Sequence, residues 1–511
     1  MKSIKSRIDG FLENRSQTGS AFTALLIAAV LVVNIILCFL TQSFGWYFYQ
    51  AKYQEDFTIS GKSDELLSEA KEAGRKVTVT FLMERDALRE HSTGSFVIDT
   101  FEQFEERYGD FITLRFVNTL TKRDQDGNRV DLEKYKTDMK GNEVGLSRTA
   151  VIFESDTGSH RTLSNVQGGV GFVDFFTFDS TGEVVSFNGE TVISSMISWV
   201  LVDEHKTVYL TANHAEENNA NFTTLLASSG YYINSINLQD SDVPSDAAMV
   251  IISNPKNDFE RAKAGSGIKT EIERLEDYVK RGGNLYISLD PYVKRLDNLE
   301  DFIMQFGIEL SGAVAPSGSQ ERHIVRDAEN AVTLDGYTLL AEYATGGVAD
   351  AIRATVEKYS TGNIILRDAA ALKLDSAKGA RAILKSSQSS ELTLGGDFAD
   401  GAGGYTVAAY SSYDAGDGKT AGIFVIPSVY ASASDALTSN SYANRDFLYS
   451  LFEHVFGAKN LPYGANSVIY VDDVLRNLTM GTARLYSALL LAIPAVLAVV
   501  GGAIIIRRKN R

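Results

Sequence analysis

Residues 248–253 read AMVIIS and residues 285–289 read LYISL, and an amphipathic segment at residues 268–280 joins them. The first run is almost continuously apolar, as is usual for strands covered on both faces of a parallel sheet. In the joining segment Ile272, Leu275 and Val279 recur at helical spacing, and Gly282-Gly283 ends it. Two strands joined by a helix predict a parallel α/β sheet with a right-handed crossover.

The flanking sequence extends this predicted sheet in both directions, so we expect one α/β domain over residues 205–460. Residues 307–404 are richer in Gly, Ala and Ser, which predicts a β-rich insertion or subdomain. The other predicted elements are strands at residues 207–211, 232–238, 407–411 and 422–426, and helices at residues 221–228 and 444–456.

Residues 77–204 predict a second α/β domain with the order strand, helix, strand, helix, hairpin, helix, which is typical of a thioredoxin-like layer. A thioredoxin-type enzyme needs a thiolate at the start of its first helix. The chain offers Met83-Glu84-Arg85-Asp86 there, so we expect a scaffold or binding surface rather than redox catalysis. The predicted elements are residues 77–83, 95–108, 111–118, 131–139, 149–154 paired with 160–163, and 190–202, preceded by a short helix at residues 63–73 with Ser63 as N-cap.

Two long apolar runs lie near the ends of the chain, AFTALLIAAVLVVNIILCFL at residues 21–40 and LYSALLLAIPAVLAVVGGAIII at residues 485–506. Each is long enough to cross a hydrocarbon core of about 30 Å. Their outer flanks are rich in Lys and Arg, which favours membrane spans over buried core helices. The first run is longer than the apolar core of a usual signal peptide and no small-x-small cleavage site follows Leu40, which favours an uncleaved anchor. We expect spans at residues 21–41 and 485–506, cytoplasmic ends at 1–20 and 507–511, and connectors at 42–76 and 461–484.

The charge and cysteine content narrow the functional classes. The chain has 65 acidic against 49 basic residues, a net charge of −16, and the basic excess at its ends makes the intervening part more acidic still. Such a surface argues against a nucleic-acid partner. The one cysteine, Cys38, lies in the first apolar run, so disulfides cannot stabilise the region between the spans.

Several short motifs resemble the auxiliary component of gliding-motility type ABC transporters, the GldG-like proteins. Residues 208–216, VYLTANHAE, are similar to that family's strand followed by TGHGE, with His214 and Glu216 in place and the two glycines replaced by Asn213 and Ala215. The family's strand, helix and GGxLxxxLDP block is matched by VIISNP at residues 250–255 and GGNLYISLDP at residues 282–291. Residues 444–447, NRDF, are similar to its late helix, and the terminal RRK at residues 507–509 to its end.

The resemblance implies a non-catalytic partner of an ABC transporter's permease and ATP-binding subunits. It also implies an extracytoplasmic region that combines a thioredoxin-like domain with an amidotransferase-like (flavodoxin-like) parallel α/β domain.

His214 and Glu216 follow a predicted strand, at the edge where open α/β sheets place ligand crevices. Such a pair could ligate a metal or act as acid and base, but no third ligand stands at a suitable spacing. A hydrogen bond that stabilises the loop is the favoured interpretation, and contact with a ligand or partner is the alternative. Asp290, at the end of another predicted strand, could face the same crevice.

The sequence predicts no catalytic, metal or cofactor site. Outside the first apolar run there is no cysteine, and no G-x-S-x-G motif supplies a serine nucleophile. Residues 265–270, GSGIKT, lack the preceding strand of a phosphate loop and predict a turn that caps the next helix. In the predicted spans, Asn34, Pro494, Gly501 and Gly502 are candidate helix-packing positions.

The resulting prediction is a two-span protein of the cytoplasmic membrane, the auxiliary subunit of an ABC transport system, with its bulk outside. It would bind a substrate, an envelope polymer or peptide, or the permease. The alternative is a stand-alone membrane-anchored envelope receptor or structural protein that binds carbohydrate or peptide.

Overall fold

The computed structural model describes residues 59–469, except 166–170, 179–183, 203–204, 262–266, 268, 315–319, 361–362, 394–403, 440, 460 and 464–467. These residues all belong to one compact unit. Within this described part of the chain, no helix combines the length and the apolar composition needed to cross a bilayer. Both predicted spans lie outside it, as do Asn34, Pro494, Gly501 and Gly502.

The first sheet is a five-stranded mixed sheet with the order β3-β2-β1-β4-β5. β1 and β2 are parallel, whereas β4 is antiparallel to both β1 and β5. Its strands are β1 (Val77–Phe81), β2 (Ile112–Asn118), β3 (Arg123–Asp124), β4 (Val151–Ser155) and β5 (His160–Leu163). Its helices are α1 (Lys62–Glu72), α2 (Arg85–Glu90), α3 (Gly94–Tyr108) and α4 (Gly189–Leu201).

Aromatic side chains fill the core of this first sheet. The ring of Phe81 lies 5.0 Å from that of Phe101 on α3 and 5.4 Å from that of Phe116 on β2. Phe101 and Phe104 are buried as predicted, and Phe96 is half-buried. The predicted mixed sheet covered by helices is therefore confirmed.

Two sequence predictions in this region need correction. Residues 131–139 do not form a helix; only Glu133–Lys136 form a 3-10 turn, because the side chain of Asp138 accepts bonds from the amides of Lys140 and Asn142 and closes a tight turn instead. Ser63 lies inside α1 rather than capping it, and its hydroxyl donates to buried Glu190.

The second half of the chain builds an 11-stranded sheet with the main path β17-β16-β19-β21-β22-β11-β10-β8-β9, with β18 and β12 attached beside β21. The strands from β8 onward are β8 (Thr207–Thr211), β9 (Tyr232–Ile236), β10 (Ala247–Ser253), β11 (Asn284–Ser288), β12 (Ile308–Leu310), β13 (Gly312–Val314), β14 (Gln320–Arg322), β15 (Val325–Arg326), β16 (Thr338–Tyr343), β17 (Ile364–Arg367), β18 (Leu372–Leu374), β19 (Ala380–Lys385), β20 (Glu391–Leu392), β21 (Thr406–Gly416) and β22 (Lys419–Ile426).

The parallel part of this main sheet is built as predicted. Neighbouring strands among β9, β8, β10, β11 and β22 are all parallel, so in chain order the strands lie 2-1-3-4-5. Helices flank these strands or lie among the loops that follow them. They are α5 (Ala220–Ser228), α6 (Glu271–Lys280), α7 (Asp297–Met304), α8 (Gly347–Tyr359), α9 (Ser434–Thr438) and α10 (Asn444–Phe456).

Residues 307–404 are rich in strands, as predicted, and several of these strands belong to the main sheet rather than to a separate subdomain. Their strands β16, β17 and β19 continue the main sheet in antiparallel fashion beyond β21, and they enclose the unpredicted helix α8. Ile352 and Val356 of α8 are buried in the same hydrophobic core as Phe447 of α10. Residues 307–404 therefore share a core with the main sheet.

The glycine pair after α6 has two different physical roles. Gly282 adopts a φ of +88°, which ends the helix in a left-handed turn that glycine enters without strain. Gly283 packs under Tyr278, because a Cβ at this position would lie 2.4 Å from the tyrosine ring. The pair therefore sets the turn that leads from α6 into β11.

Three small sheets complete the described structure. β13 pairs with β14, and β15 pairs with β20. The third joins β6 (Phe176–Phe178) and β7 (Val184–Phe187) to β23 (Val468–Ile469).

Candidate functional site

The predicted loop after β8 lies at the edge of the main sheet where its topology reverses. From β8 the chain passes to β9 on one side and then to β10 on the other. The loops that follow β8 and β10 therefore lie side by side at the carboxyl edge of the sheet, and the connections leave in opposite directions. Such a switch point is where open α/β sheets place ligand crevices. His214 follows β8 there, and Asn254 follows β10.

Main-chain hydrogen bonds join these two loops. The His214 carbonyl accepts from the amides of Lys256 and Asn257, at 2.8 and 3.1 Å. The Glu217 amide donates to the Ser253 carbonyl at 2.9 Å, and the Ser253 hydroxyl donates to the Glu217 carbonyl at 2.7 Å. The loop containing His214 is therefore held on both sides of the histidine.

The imidazole of His214 is enclosed between two carboxylates. Its Nε2 lies 3.1 Å from Oε2 of Glu271, and its Nδ1 lies 3.4 Å from Oε1 of Glu216. Glu216 Oε2 also accepts from the His214 amide at 2.8 Å, while Glu271 Oε2 accepts from the Glu260 amide at 2.7 Å. The ring lies flat on Phe259, with 3.9 Å between centroids, and the His214 side chain is 2 % exposed.

The electrostatics favour a charged histidine here. Burial by itself lowers the pKa of His214, but the hydrogen bonds and charges of Glu216 and Glu271 outweigh burial and raise this pKa to about 9. For Glu216, burial acts to raise the pKa, and the bonds from His214 and the backbone reverse that effect and lower it. At neutral pH an imidazolium therefore lies between buried carboxylates.

This cluster is not fully satisfied by hydrogen bonds. Among the described atoms, His214 Nδ1, Glu216 Oε1 and Glu271 Oε1 are buried and have no hydrogen-bond partner. The contact between Nδ1 and Oε1 of Glu216 is thus an ion pair with poor hydrogen-bond geometry. The directional bonds of the cluster are the contact of His214 Nε2 with Glu271 and the backbone amides that donate to Glu216 and Glu271.

The two residues that replace glycines beside His214 adopt glycine-like backbone conformations. Asn213 has a φ of +84° and Ala215 a φ of +55°, both in the left-handed region that non-glycine residues rarely enter. Both are exposed, whereas His214 between them points inward. The loop thus keeps the backbone shape for which glycines are best suited, and that shape turns the histidine into the protein.

Asp290 joins the edge of this site through a lysine rather than through His214. Its Oδ2 lies 2.6 Å from Nζ of Lys256, which also lies 3.2 Å from Oε1 of Glu217. The Lys256 amide is one of the two that bind the His214 carbonyl. Glu217, Lys256 and Asp290 form a partly exposed charged rim, and His214, Glu216 and Glu271 form a buried cluster beneath it.

Sequence reasoning missed Glu271 and Phe259, which complete the buried cluster. One signal for Glu271 was present: it lies four and seven residues before Leu275 and Tyr278, on the apolar face of α6, where an acidic residue is out of place. Thr270 caps α6 in a capping box with Glu273, as predicted for the end of the GSGIKT turn. Residues 262–266 and 268 of that region lie outside the described residues.

No protein-family model matches the chain, and no curated protein does. Solved structures that align with it include a ThuA-like protein from Bacteroides uniformis, at 12 % identity, covering 49 % of this chain and 91 % of that one, with a TM-score of 0.30. PurLQS from Thermotoga maritima aligns at 9 % identity, and the alignment covers 49 % of this chain and 99 % of the PurLQS chain, with a TM-score of 0.26. A cytoplasmic protein from Salmonella typhimurium aligns at 10 % identity, and the alignment covers 49 % of this chain and 98 % of that one, with a TM-score of 0.30. At these scores the likenesses support no conclusion about activity or partners.

Proposed function

We propose that this protein is a non-catalytic, membrane-anchored auxiliary subunit of an ABC transport system, of the GldG-like type. Its body would bind a substrate, an envelope component or the permease on the outer side of the cytoplasmic membrane. The observation that carries the proposal is the burial of the motif pair suited to acid–base chemistry: His214 is enclosed by Glu216, Glu271 and Phe259, and the Glu216 side chain is itself buried.

A general base must reach the proton that it removes from a substrate. His214 is enclosed, its Nε2 is occupied by Glu271, and its pKa is raised so that it is protonated at neutral pH. Asp290 pairs with Lys256 and does not complete a triad. The cluster therefore fits a device that fixes the shape of a loop, and the outward-facing part of the site fits recognition.

The rim provides the recognition surface. Glu217, Lys256 and Asp290 lie at the carboxyl edge of the parallel strands, on the loops that follow β8, β10 and β11, and their ion pairs join these loops in the absence of a partner. A pre-organised surface loses little conformational entropy on binding. We assign this rim the contact with the permease or with the transported material.

The finer fold assignment also belongs to the proposal. The β3-β2-β1-β4-β5 order supports a thioredoxin-like domain over residues 77–204, and the 2-1-3-4-5 parallel order supports an amidotransferase-like, flavodoxin-like domain over residues 205–460. The apolar runs at residues 21–41 and 485–506, with basic flanks, support two spans with both termini in the cytoplasm.

The test is affinity purification of the full-length protein from its native cells in mild detergent, followed by mass spectrometry. A multi-span permease and an ATP-binding subunit should be recovered with it. Glu217→Lys, which reverses a charge on the rim, should reduce that recovery. Glu309→Lys should not, because Glu309 is similarly exposed and paired with a lysine but lies on β12, outside the rim.

Recovery of the protein alone under several mild conditions would overturn the proposal. It would favour the alternative of a stand-alone envelope receptor or structural protein. An adjacent pair of genes for a permease and an ATPase with a phosphate loop would favour the transporter.

A further inference from the structure

A cavity of about 260 Å³ lies between the first sheet and the main sheet. The β5 strand and α4 form one wall, and the start of β9 forms another. Its lining includes Thr137, Asp138, Arg161, Thr162, Trp199 and Tyr232. None of these residues belongs to the site around His214.

Arg161 is a cation without a counter-ion at this cavity. Its recorded hydrogen bond is to the carbonyl of Ala227, at 3.2 Å, and its guanidinium lies 5.0 Å from the centre of the Trp199 ring. No carboxylate in the described part of the chain forms an ion pair with it; Asp174 acts on it only at longer range. Burial lowers the pKa of Arg161 to about 10, which still leaves it charged at neutral pH.

Three further polar groups of the lining are unsatisfied. Among the described atoms, Thr162 Oγ1, Trp199 Nε1 and the Tyr232 hydroxyl are buried and have no hydrogen-bond partner. Behind them, His205 stacks on Trp199 at 3.7 Å, and its Nε2 is also unpaired. A buried polar group that has no hydrogen-bond partner destabilises the folded protein. All three residues line the cavity together with Arg161.

The other charges near the cavity are already engaged. Asp138 lines it, but its carboxylate accepts bonds from the Lys140 amide and from the amide and side chain of Asn142. The Lys140 ammonium lies 4.7 Å from the centre of the Tyr232 ring and pairs with Asp246 at 3.2 Å. Arg161 is thus the charge in the wall that is left for a ligand.

We propose that this cavity binds a small molecule through a carboxylate group, with Arg161 as the anion partner and Tyr232 and Thr162 as hydrogen-bonding groups. A planar guanidinium matches a carboxylate with two parallel hydrogen bonds. The volume suits one sugar-acid or amino-acid unit, so a uronic acid and the free terminus of a short peptide are the two sources of this chemistry. The site stands whether or not the protein accompanies a transporter.

Trp199 supplies the readout, because the chain has only two tryptophans and Trp46→Phe leaves Trp199 as the single tryptophan, which excitation at a wavelength that tyrosine does not absorb selects. The full-length Trp46→Phe protein in detergent is titrated with galacturonate and with acetyl-alanyl-alanine. The neutral amide of each acid is titrated in parallel as the uncharged control ligand. At least one acid should change the Trp199 emission saturably, with binding roughly tenfold or more tighter than its amide. Saturation by only one of the acids identifies the source.

Two variants test the residues. Arg161→Gln should weaken acid binding roughly tenfold or more, whereas Arg353→Gln, on an exposed helix face, should not change it. Tyr232→Phe removes a hydroxyl without a partner, so the ligand-free protein should unfold at the same temperature or higher, yet bind the acid more weakly.

Three results would overturn the proposal. The first is no saturable response to either acid up to about 10 mM, where even weak anion sites fill. The second is equal binding of acid and amide. The third is unchanged affinity for the acid in both Arg161→Gln and Tyr232→Phe. Because Tyr232→Phe is expected to fold normally, the site can still be tested with that variant if Arg161→Gln misfolds.

Discussion

Glu271, the first residue of α6, contacts His214 across 57 positions of the chain, with 3.1 Å between its Oε2 and the histidine Nε2. The contact joins the loop after β8 to the helix that follows β10. Because both side chains are almost fully buried, the ion pair is inaccessible to salt and to substrate alike. It therefore determines the shape of the loop.

Replacing His214 should destabilise the protein substantially. His214→Ala leaves Glu216 and Glu271 buried without a cation, and we expect a loss of about 3 kcal/mol in the free energy of unfolding. Denaturant unfolding measures this loss. His454→Ala is the control, because His454 is exposed and forms a hydrogen bond with Thr355, and its effect should stay within about 0.5 kcal/mol. Equal effects in the two variants would contradict the buried ion pair.

The same cluster predicts a pH dependence of stability. The folded pKa of His214, about 9, lies above its unfolded value, so its contribution is complete below about pH 6.5 and is lost as the pH rises through 9. The lowered pKa of Glu216 acts in the opposite sense, and its contribution is lost as the pH falls through the folded pKa. Unfolding free energy should drop by about 2–3 kcal/mol between pH 6.5 and 10, and His214→Gln should remove most of that drop. A slope that persists in His214→Gln would assign it to other groups.

The loop beside His214 should become more stable when glycine is restored. Ala215 holds a φ of +55°, so Ala215→Gly removes left-handed strain and should stabilise the protein by about 0.5 kcal/mol after the entropy of the unfolded glycine is counted. Ala212→Gly, three residues earlier, gains no such relief and should destabilise by about 0.5–1 kcal/mol. Thermal unfolding measures the stability of both variants. If Ala215→Gly destabilises the protein as much as Ala212→Gly does, the backbone at Ala215 is not strained.

The close contact between Gly283 and Tyr278 predicts a sharp penalty for a single methyl group. A Cβ at Gly283 would lie 2.4 Å from the ring of buried Tyr278, so Gly283→Ala should cost about 1–3 kcal/mol. Gly145→Ala is the matched control, because no atom lies within 4 Å of its Cβ position. Chemical denaturation compares the two, and equal stabilities would show that the ring moves aside freely.

Glu190, on α4, attaches α1 and the residue Ser60 before it to that helix. Its buried carboxylate accepts from the amide and hydroxyl of Ser60 and from the hydroxyl of Ser63. In Glu190→Gln one of those acceptors becomes a donor, so hydrogen exchange of residues 60–72 should accelerate while that of β1 stays unchanged. Glu106→Gln, at an exposed position on α3, should change neither segment. Unchanged exchange in Glu190→Gln would show that α1 is held by packing alone.

The elements of the parallel sheet were predictable because their signals are local. The strand at residues 207–211 and the helix at residues 444–456 were predicted with the bounds that the structure shows, since apolar runs and their ends carry the information. The prediction of a helix at residues 131–139 was wrong, because the Asp138 carboxylate accepts a hydrogen bond from the Asn142 amide and stabilises a turn in place of a helix. The placement of residues 307–404 was not predictable, because extension of a sheet depends on long-range pairing such as β19 with β21.

The candidate site was only partly predictable. The position of His214 and Glu216 at the carboxyl edge of the sheet follows from the strand that precedes them. Their burial does not, because it depends on Phe259 and Glu271, which come from elsewhere in the chain. The cavity at Arg161 was not visible in the sequence, since its walls come from segments as far apart as Thr137 and Tyr232.

The side of the membrane on which residues 59–469 lie distinguishes the proposed topology from its opposite. Leu120 is 93 % exposed, and the chain's one cysteine is Cys38, so Leu120→Cys in a Cys38→Ser background places a single thiol on the body. In intact cells a membrane-impermeant maleimide should label this thiol as fully as after lysis, whereas Lys2→Cys in the same background should be labelled only after lysis. Labelling of Leu120→Cys only after lysis would place residues 59–469 in the cytoplasm and contradict the proposed topology.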